Sequence, residues 1–327
     1  MLSSTADNLY WMGRYIERAE NTARLLTASN RMSLIGAQSQ AQSQGQSQTQ
    51  SQGRGGEWRS VATIYGIDPA AIAAASEVPE EKLLHTLCFD RDNPSSIVAC
   101  VQRARNNARA ERNNLTVEAW ENINATWLEL ADIARQGVPA GEYRPFFEWV
   151  KRQSHLILGS LWTTLLRDEA FDFLHLGIFI ERADNTARIL DVKYHRILPD
   201  GAPRAEVVDY YEWAELLACV SAVRAYKRIY QSGIEPWRVA EFLILRRDLP
   251  RSLHYCLGRV DRHLSSLADF HGHRHECHRI SGVLYSRLRY GQTDRIFRRG
   301  LHVVLTDFIG SIAELSEELR RNYLMTT

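Results

Sequence analysis

Lysine is nearly missing from this chain: only Lys82, Lys151, Lys193 and Lys227 stand among its 40 basic residues, and the other 36 are arginines. Arginine makes rigid two-pronged contacts to carboxylates and phosphates, but biased codon use produces the same excess, so both readings stand at this point. Charge of one sign is missing as well. The formal net charge is +1, with 39 acidic residues against the 40 basic ones, which excludes binding of nucleic acid by bulk charge. Cysteine is scarce, odd in number and never spaced Cys-x-x-Cys: Cys88, Cys100, Cys219, Cys256 and Cys277 imply reduced thiols, with neither a disulfide framework nor a zinc ribbon. No basic segment followed by an apolar one opens the chain, and no run of about 18 uncharged apolar residues occurs. The expectation is a cytoplasmic protein without a secretion signal, a membrane span or a nucleic-acid partner.

What is present is a duplication. Residues 13–26 read GRYIERAENTARLL and residues 177–190 read GIFIERADNTARIL, identical at ten of fourteen positions. A second pair follows in the same order: Asp92-Asn93-Pro94-Ser95-Ser96-Ile97, with Cys100 and Arg103, matches Asp248-Leu249-Pro250-Arg251-Ser252-Leu253, with Cys256 and Arg259. Two copies of one unit are implied, a first repeat over 1–160 and a second over 165–327 of a single domain spanning 1–327. The first copy holds eight more residues between these landmarks, and AQSQAQSQGQSQTQSQGRGG at 37–56 supplies them. Such a polar low-complexity tract cannot bury apolar surface and reads as a disordered loop.

Elsewhere the period is helical. Leu9, Met12, Ile16, Ala19, Ala23 and Leu26 recur at spacings of three and four, as do Leu301, Val304, Leu305, Phe308, Ile312, Leu315 and Leu319, whereas strand-like alternation is scarce. Asp92 and Asp248, each two residues before a proline, are the candidate N-caps of a helix in each copy. Trp58 and Trp213 lead another helix in each. The fold class is all-α, a helical bundle of two tandem repeats related by a pseudo-twofold axis.

On a helical wheel Gly13, Glu17, Asn21 and Arg24 share one stripe beside the apolar one, and Gly177, Glu181, Asn185 and Arg188 repeat it. A mid-helix glycine costs about 1 kcal/mol relative to alanine, so its recurrence asks for a compensating reason, most simply close approach by another backbone or a ligand, with close packing the simpler of the two. Two readings of the polar residues remain. In one, each glutamate pairs with an arginine of a neighbouring helix in a buried network. In the other, Glu17 and Glu181 face one cavity flanked by Asn21, Asn185, Arg24 and Arg188, where carboxylates hold an amine or act as base and arginines clamp a carboxylate or phosphate. Arg105 and Arg109 share a helical face with Arg112 and form a candidate anion site, although the second copy carries Asp261 where Arg105 stands. His271, His273, His275, Cys277 and His278 crowd together without the spacing of a helical metal motif, so no metal site is expected. Seven arginines between Arg274 and Arg299 make a local basic surface. The chain has no phosphate-binding glycine loop, dinucleotide fingerprint or Gly-x-Ser-x-Gly elbow, so no cofactor is expected.

ADNLYWMGRYIERAENTARLL, IERADNTARIL, RARNNARAERNNLTVEAWENIN and RRDLPRSLHYCLGRV together resemble the alpha-E domain family, bacterial helical proteins named for a Glu-Arg motif that Glu17-Arg18 and Glu181-Arg182 fill here. The resemblance runs nearly end to end and departs only at the Ser/Gln tract. It implies partnership with a circularly permuted ATP-grasp protein, often together with a transglutaminase-like protease, in a system that makes or processes peptide-like amide conjugates. Two functions are compatible with it: an accessory helical partner of the ATP-grasp amide ligase, or an enzyme acting on an amide, peptide or amino-acid conjugate through the paired Glu/Asn/Arg stripes.

Overall fold

The computed structural model describes residues 1–42, 52–68, 80–139, 141–197 and 206–324. Helices build all of the regular structure among these residues, and no strand occurs. In order they are α1 (Ser3–Gln42), α2 (Gln52–Ile64), α3 (Glu80–Cys88), α4 (Ile97–Ala110), α5 (Val117–Gln136), α6 (Tyr143–Thr164), α7 (Glu169–Ile197), α8 (Glu206–Cys219), α9 (Val223–Tyr230), α10 (Pro236–Leu245), α11 (Leu253–His271), α12 (Glu276–Arg289), α13 (Thr293–Arg299) and α14 (Leu301–Leu319). Of the tract 37–56, α1 continues through Gln42 and α2 begins at Gln52, while 43–51 lies outside the described residues.

The two longest helices, α1 and α7, carry the two copies of the motif and pack on each other at the centre. Around them the neighbours follow one pattern twice. α4 and α6 pack on α1, with α5 against both; α11 and α14 pack on α7, with α12 against both. The apolar period of α1 explains its place: Leu9, Met12, Ile16, Ala19, Ala23 and Leu26 are all buried. From α14, Leu301, Leu305, Phe308, Ile312, Leu315 and Leu319 enter the same core. The tryptophan expected in a helix of each copy is there, Trp58 in α2 and Trp213 in α8, both buried, although each helix starts several residues before its tryptophan. All five cysteines are free and buried. Among the described residues no helix is long and apolar enough to cross a membrane.

The helix starts at the proline motifs differ from the sequence expectation in a consistent way. Ser96 and Ser252, not Asp92 and Asp248, are the N-caps: Ser96 accepts from the Ala99 amide and Ser252 from the Tyr255 amide. Each serine hydroxyl also donates to a carbonyl six residues back, Asp90 for Ser96 and Arg246 for Ser252. A hydroxyl can donate and accept at once, whereas a carboxylate only accepts. The position that must tie the preceding turn to the new helix therefore suits serine. Asp248 is spent instead on Arg246. In both copies a buried thiol closes the turn, Cys100 donating to the Pro94 carbonyl and Cys256 to that of Pro250.

Candidate functional site

Gly13 and Gly177 mark the crossing of α1 and α7. A β-carbon on Gly13 would overlap the Leu174 carbonyl oxygen and sit 3.2 Å from the Ile178 nitrogen; one on Gly177 would overlap the Tyr10 carbonyl oxygen and sit 3.0 Å from the Arg14 nitrogen. The glycines are thus explained by backbone against backbone. Contacts then climb both helices together, and one turn further on the Glu-Arg pairs meet crosswise.

Arg18 reaches over α7 to Glu181, its Nε donating to Oε1 at 2.6 Å and its Nη2 to Oε2 at 3.0 Å. Arg182 reaches back to Glu17, its Nε donating to Oε1 at 3.0 Å and its Nη2 to Oε2 at 2.6 Å. Adjacent residues on a helix diverge by about 100°, so an arginine beside its own glutamate cannot join it, but it can grip the glutamate of the opposite helix in the planar fork that guanidinium and carboxylate share. Burial alone would raise the Glu181 carboxyl pKa, but Arg14 and Arg18 overcome it and hold the group at about 2. Burial likewise disfavours the charge on Arg18 and Arg182, and the facing carboxylates reverse that and raise both above the ordinary arginine value.

Around the first motif the network is closed. Glu17 is fully buried, and Arg251 adds a third guanidinium contact, Nη1 to Glu17 Oε1 at 2.9 Å. The same Nη1 donates to Asn21 Oδ1 at 2.7 Å, and Arg251 Nη2 donates to Glu20 Oε1 at 2.9 Å. Arg24 also holds Glu20, Nε to Oε1 at 2.7 Å, and reaches Ser221 and His155. Burial would push the Glu20 carboxyl up, yet Arg251, His155 and Arg24 hold it far below the usual carboxylate range.

Around the second motif the arrangement is open. A cleft of about 510 Å³ is lined by Glu181, Asp184, Asn185 and Arg188 of α7, by Tyr10, Trp11, Arg14 and Arg18 of α1, and by Ser95, Tyr65, Glu317 and Arg320 from neighbouring elements. Its volume lies within the range of small-molecule sites, about 300–1,000 Å³. Arg14 donates from Nε to Glu181 Oε2 at 2.5 Å and from Nη1 to the Tyr10 hydroxyl at 2.8 Å. Arg188 donates from Nε to Asp184 Oδ2 at 2.8 Å.

The single cavity flanked by both motifs is therefore not what the chain forms. Glu181, Asn185 and Arg188 line the cleft; Glu17, Asn21 and Arg24 belong to the closed network and do not. Arg105 lies apart, bonded to Asn124 at 3.2 Å and held over Trp120, and Arg109 is exposed. Of the histidines, His271 faces Glu169 at 2.8 Å, His273 meets His275 at 2.9 Å, and His278 donates to the Leu264 carbonyl at 3.0 Å. Among the described residues no group of three or more His, Cys, Asp or Glu side chains is placed to hold a metal ion. The arginines from 274 to 299 lie on α12, on α13 and just outside them, and two of them pair with local acids, Arg279 with Glu276 and Arg299 with Asp307. Sequence reasoning did not single out Glu20, Asp184, Arg14, Ser95 or Arg251. The signals were present: Glu20 and Asp184 are the one acidic position at which the two copies of the motif differ, and Ser95 and Arg251 occupy one position of the second repeated pair.

These ion pairs set an acid limit. A carboxyl held at about 2 in the folded chain, against 4.5 in its absence, contributes stability that is fully present above the unfolded value and is lost as pH falls through the folded one. Glu181 alone is worth on the order of 3 kcal/mol by this linkage. Urea midpoints measured from pH 7 to pH 2.5 are expected to fall mainly below pH 4.5, and the fall is expected to be shallower in Glu181→Gln. Equal slopes in the two proteins would remove Glu181 as its source.

A family model described as a predicted alpha-helical domain with a conserved ER motif matches residues 1–324. Uncharacterized proteins of Mycobacterium bovis and of two Mycobacterium tuberculosis strains are each 25% identical over 319 residues, covering 93% of this chain and 34% of the relative. The chain thus spans about a third of the length of the curated relatives it matches. No solved structure matches it. With the Glu-Arg pairs meeting crosswise on two central helices, and the family match running over nearly every residue, the chain belongs to the Alpha-E family.

Proposed function

We propose that this protein is a noncatalytic partner of a circularly permuted ATP-grasp amide ligase, serving a system that makes or processes peptide-like conjugates. The observation that carries this reading is the condition of the two motif glutamates. Each is gripped by two arginines, Glu17 is fully buried, and Glu181 is held at about 2. A general base works best with a pKa near the operating pH and must reach the proton it removes. Glu181, held that low, fails the first condition, and Glu17, fully buried against Arg182 and Arg251, fails the second, so the Glu-Arg motif clamps two helices rather than performing a reaction. The length of the mycobacterial relatives supports the partner half of the reading. Their matched third is continuous with further chain, and a helical unit that works beside another protein is often joined to one covalently.

The test is co-expression with the ATP-grasp protein, read by light scattering for the complex and by mass spectrometry for ATP-dependent product. A stable complex is expected, with product retained to within a few-fold in Glu181→Gln handled at a temperature where it is folded. An intact complex whose product falls a hundredfold or more in that variant would make the protein an enzyme and overturn the proposal.

A further inference from the structure

The two copies differ at one position in a way that describes a ligand. In the second proline motif Arg251 sends its guanidinium into the first Glu/Glu/Asn cluster, where it contacts Glu17 Oε1, Glu20 Oε1 and Asn21 Oδ1. In the first proline motif the matching residue is Ser95, whose side chain is too short to reach, and Ser95 lines the cleft together with Glu181, Asp184 and Asn185, the counterparts of Glu17, Glu20 and Asn21. The flanking geometry is kept: Ser96 and Ser252 cap their helices alike, and Cys100 and Cys256 close their turns alike. At the Arg251 position, therefore, one copy places a guanidinium where the other places a hydroxyl, and the second guanidinium on Glu181 comes from Arg14 of α1 instead.

Arg14 does not take that place. Arg251 shares with Arg182 Nε the oxygen Oε1 of Glu17, whereas Arg14 sits on the other oxygen of Glu181, the one that Arg18 Nη2 contacts. Glu181 Oε1 is left with the single donor Arg18 Nε, and no hydrogen bond to the Asn185 amide forms among the described residues. The acceptors that hold a guanidinium in the closed half thus face the cleft in the open half. Charge narrows the ligand further. The cleft is lined by four arginines, Arg14, Arg18, Arg188 and Arg320, against the three carboxylates Glu181, Asp184 and Glu317. That excess positive charge disfavours a bare cation and favours one that brings its own carboxylate, for which Arg188 retains guanidinium donors beyond the Nε used on Asp184.

We infer that the cleft between α1, α7 and the Ser95 turn binds a molecule carrying both a guanidinium and a carboxylate, arginine or an arginine-terminated peptide, with Arg251 as its built-in counterpart in the other half. This does not depend on the ATP-grasp partnership, and its test uses this chain alone.

Calorimetric titration with Nα-acetyl-L-arginine is expected to show saturable one-site binding, at least tenfold weaker for the matching citrulline, whose urea group is uncharged, and for Nα-acetyl-L-argininamide, which lacks the carboxylate. A parallel titration with free L-arginine separates the amino acid from a peptide C-terminus, according to which binds more tightly. Ser95→Arg places the missing guanidinium in the cleft and is expected to abolish binding while leaving the melting temperature at or above that of the parent. Should that variant fail to fold, Asn185→Leu, which removes one acceptor at the half-buried rim, is expected to weaken binding at least tenfold. Absence of binding to the parent chain overturns the inference. So does binding of citrulline or inorganic phosphate as tightly as acetylarginine, or acetylarginine binding unchanged in the folded variant.

Discussion

Gly13→Ala and Gly177→Ala are each expected to destabilise the protein by about 3 kcal/mol or more, although the same exchange in an exposed helix adds up to about 1 kcal/mol. The sign is decided by what a methyl would meet. At Gly13 it overlaps the Leu174 carbonyl and at Gly177 the Tyr10 carbonyl, in both cases backbone of the partner helix, which cannot move aside as a side chain can. The helices must separate, and with them the crosswise Arg18–Glu181 and Arg182–Glu17 pairs one turn away. Gly159 supplies the control, since it lies within α6 with nothing near its missing β-carbon. Gly159→Ala is expected to be neutral or stabilising. Urea unfolding of the three variants checks the pattern, and the double variant adds a sharper reading. Once the helices have parted for one methyl the second finds room, so Gly13→Ala/Gly177→Ala should cost clearly less than the two single effects combined. Additive costs, or costs below about 1 kcal/mol, would mean that the crossing is looser than the carbonyl contacts indicate.

The same crossing shows what was readable in the sequence. Apolar spacing located α1 and α14, and the duplicated glycine announced a close approach, because both depend on periodicity within one helix. The crosswise pairing was not readable. It depends on which helix faces which across about 160 residues, and the wheel shows only that Arg18 and Glu17 diverge. For the same reason the sequence allowed Glu17 and Glu181 to share one cavity, when each in fact meets the arginine of the other copy. The helix starts were displaced by four residues, from Asp92 and Asp248 to Ser96 and Ser252, since a carboxylate and a hydroxyl look alike as acceptors and only the turn geometry shows that a donor is needed too. Arg105 and Arg109 looked like a site because they share a helical face, but the element they face is fixed by tertiary packing, which sets Arg105 on Trp120 and leaves Arg109 exposed. The Ser95/Arg251 difference was visible in the aligned motifs. It acquired meaning only when Arg251 was found between two carboxylates and an amide.

Arg251→Ala is the second change expected to have a large effect, a loss of about 3–5 kcal/mol in urea unfolding at pH 7, the range found when one partner of a buried ion pair is removed. Arg251 is nearly fully buried, and burial acts against its charge strongly enough to lower its pKa from the ordinary value despite Glu17 and Glu20 beside it. Its net worth therefore lies less in attraction than in what its removal strands: Glu17 Oε1, Glu20 Oε1 and Asn21 Oδ1 all lose a donor together. Two consequences separate this account from a simple loss of packing volume. Arg251→Met, which restores most of the volume and none of the hydrogen bonds, should recover little of the stability. Adding Glu20→Gln to Arg251→Ala should cost less than Glu20→Gln does in the parent, by about 1–3 kcal/mol, because the carboxylate has already lost one of the charges that held it ionised. Arg182 remains on Glu17 in every one of these variants, and Arg24 remains on Glu20 in Arg251→Ala and Arg251→Met, so the helix clamp persists and the two single exchanges report the Arg251 guanidinium itself. If Arg251→Met matched the parent, the closed half would be a matter of shape, and the parallel between its guanidinium and the open cleft would lose its energetic basis.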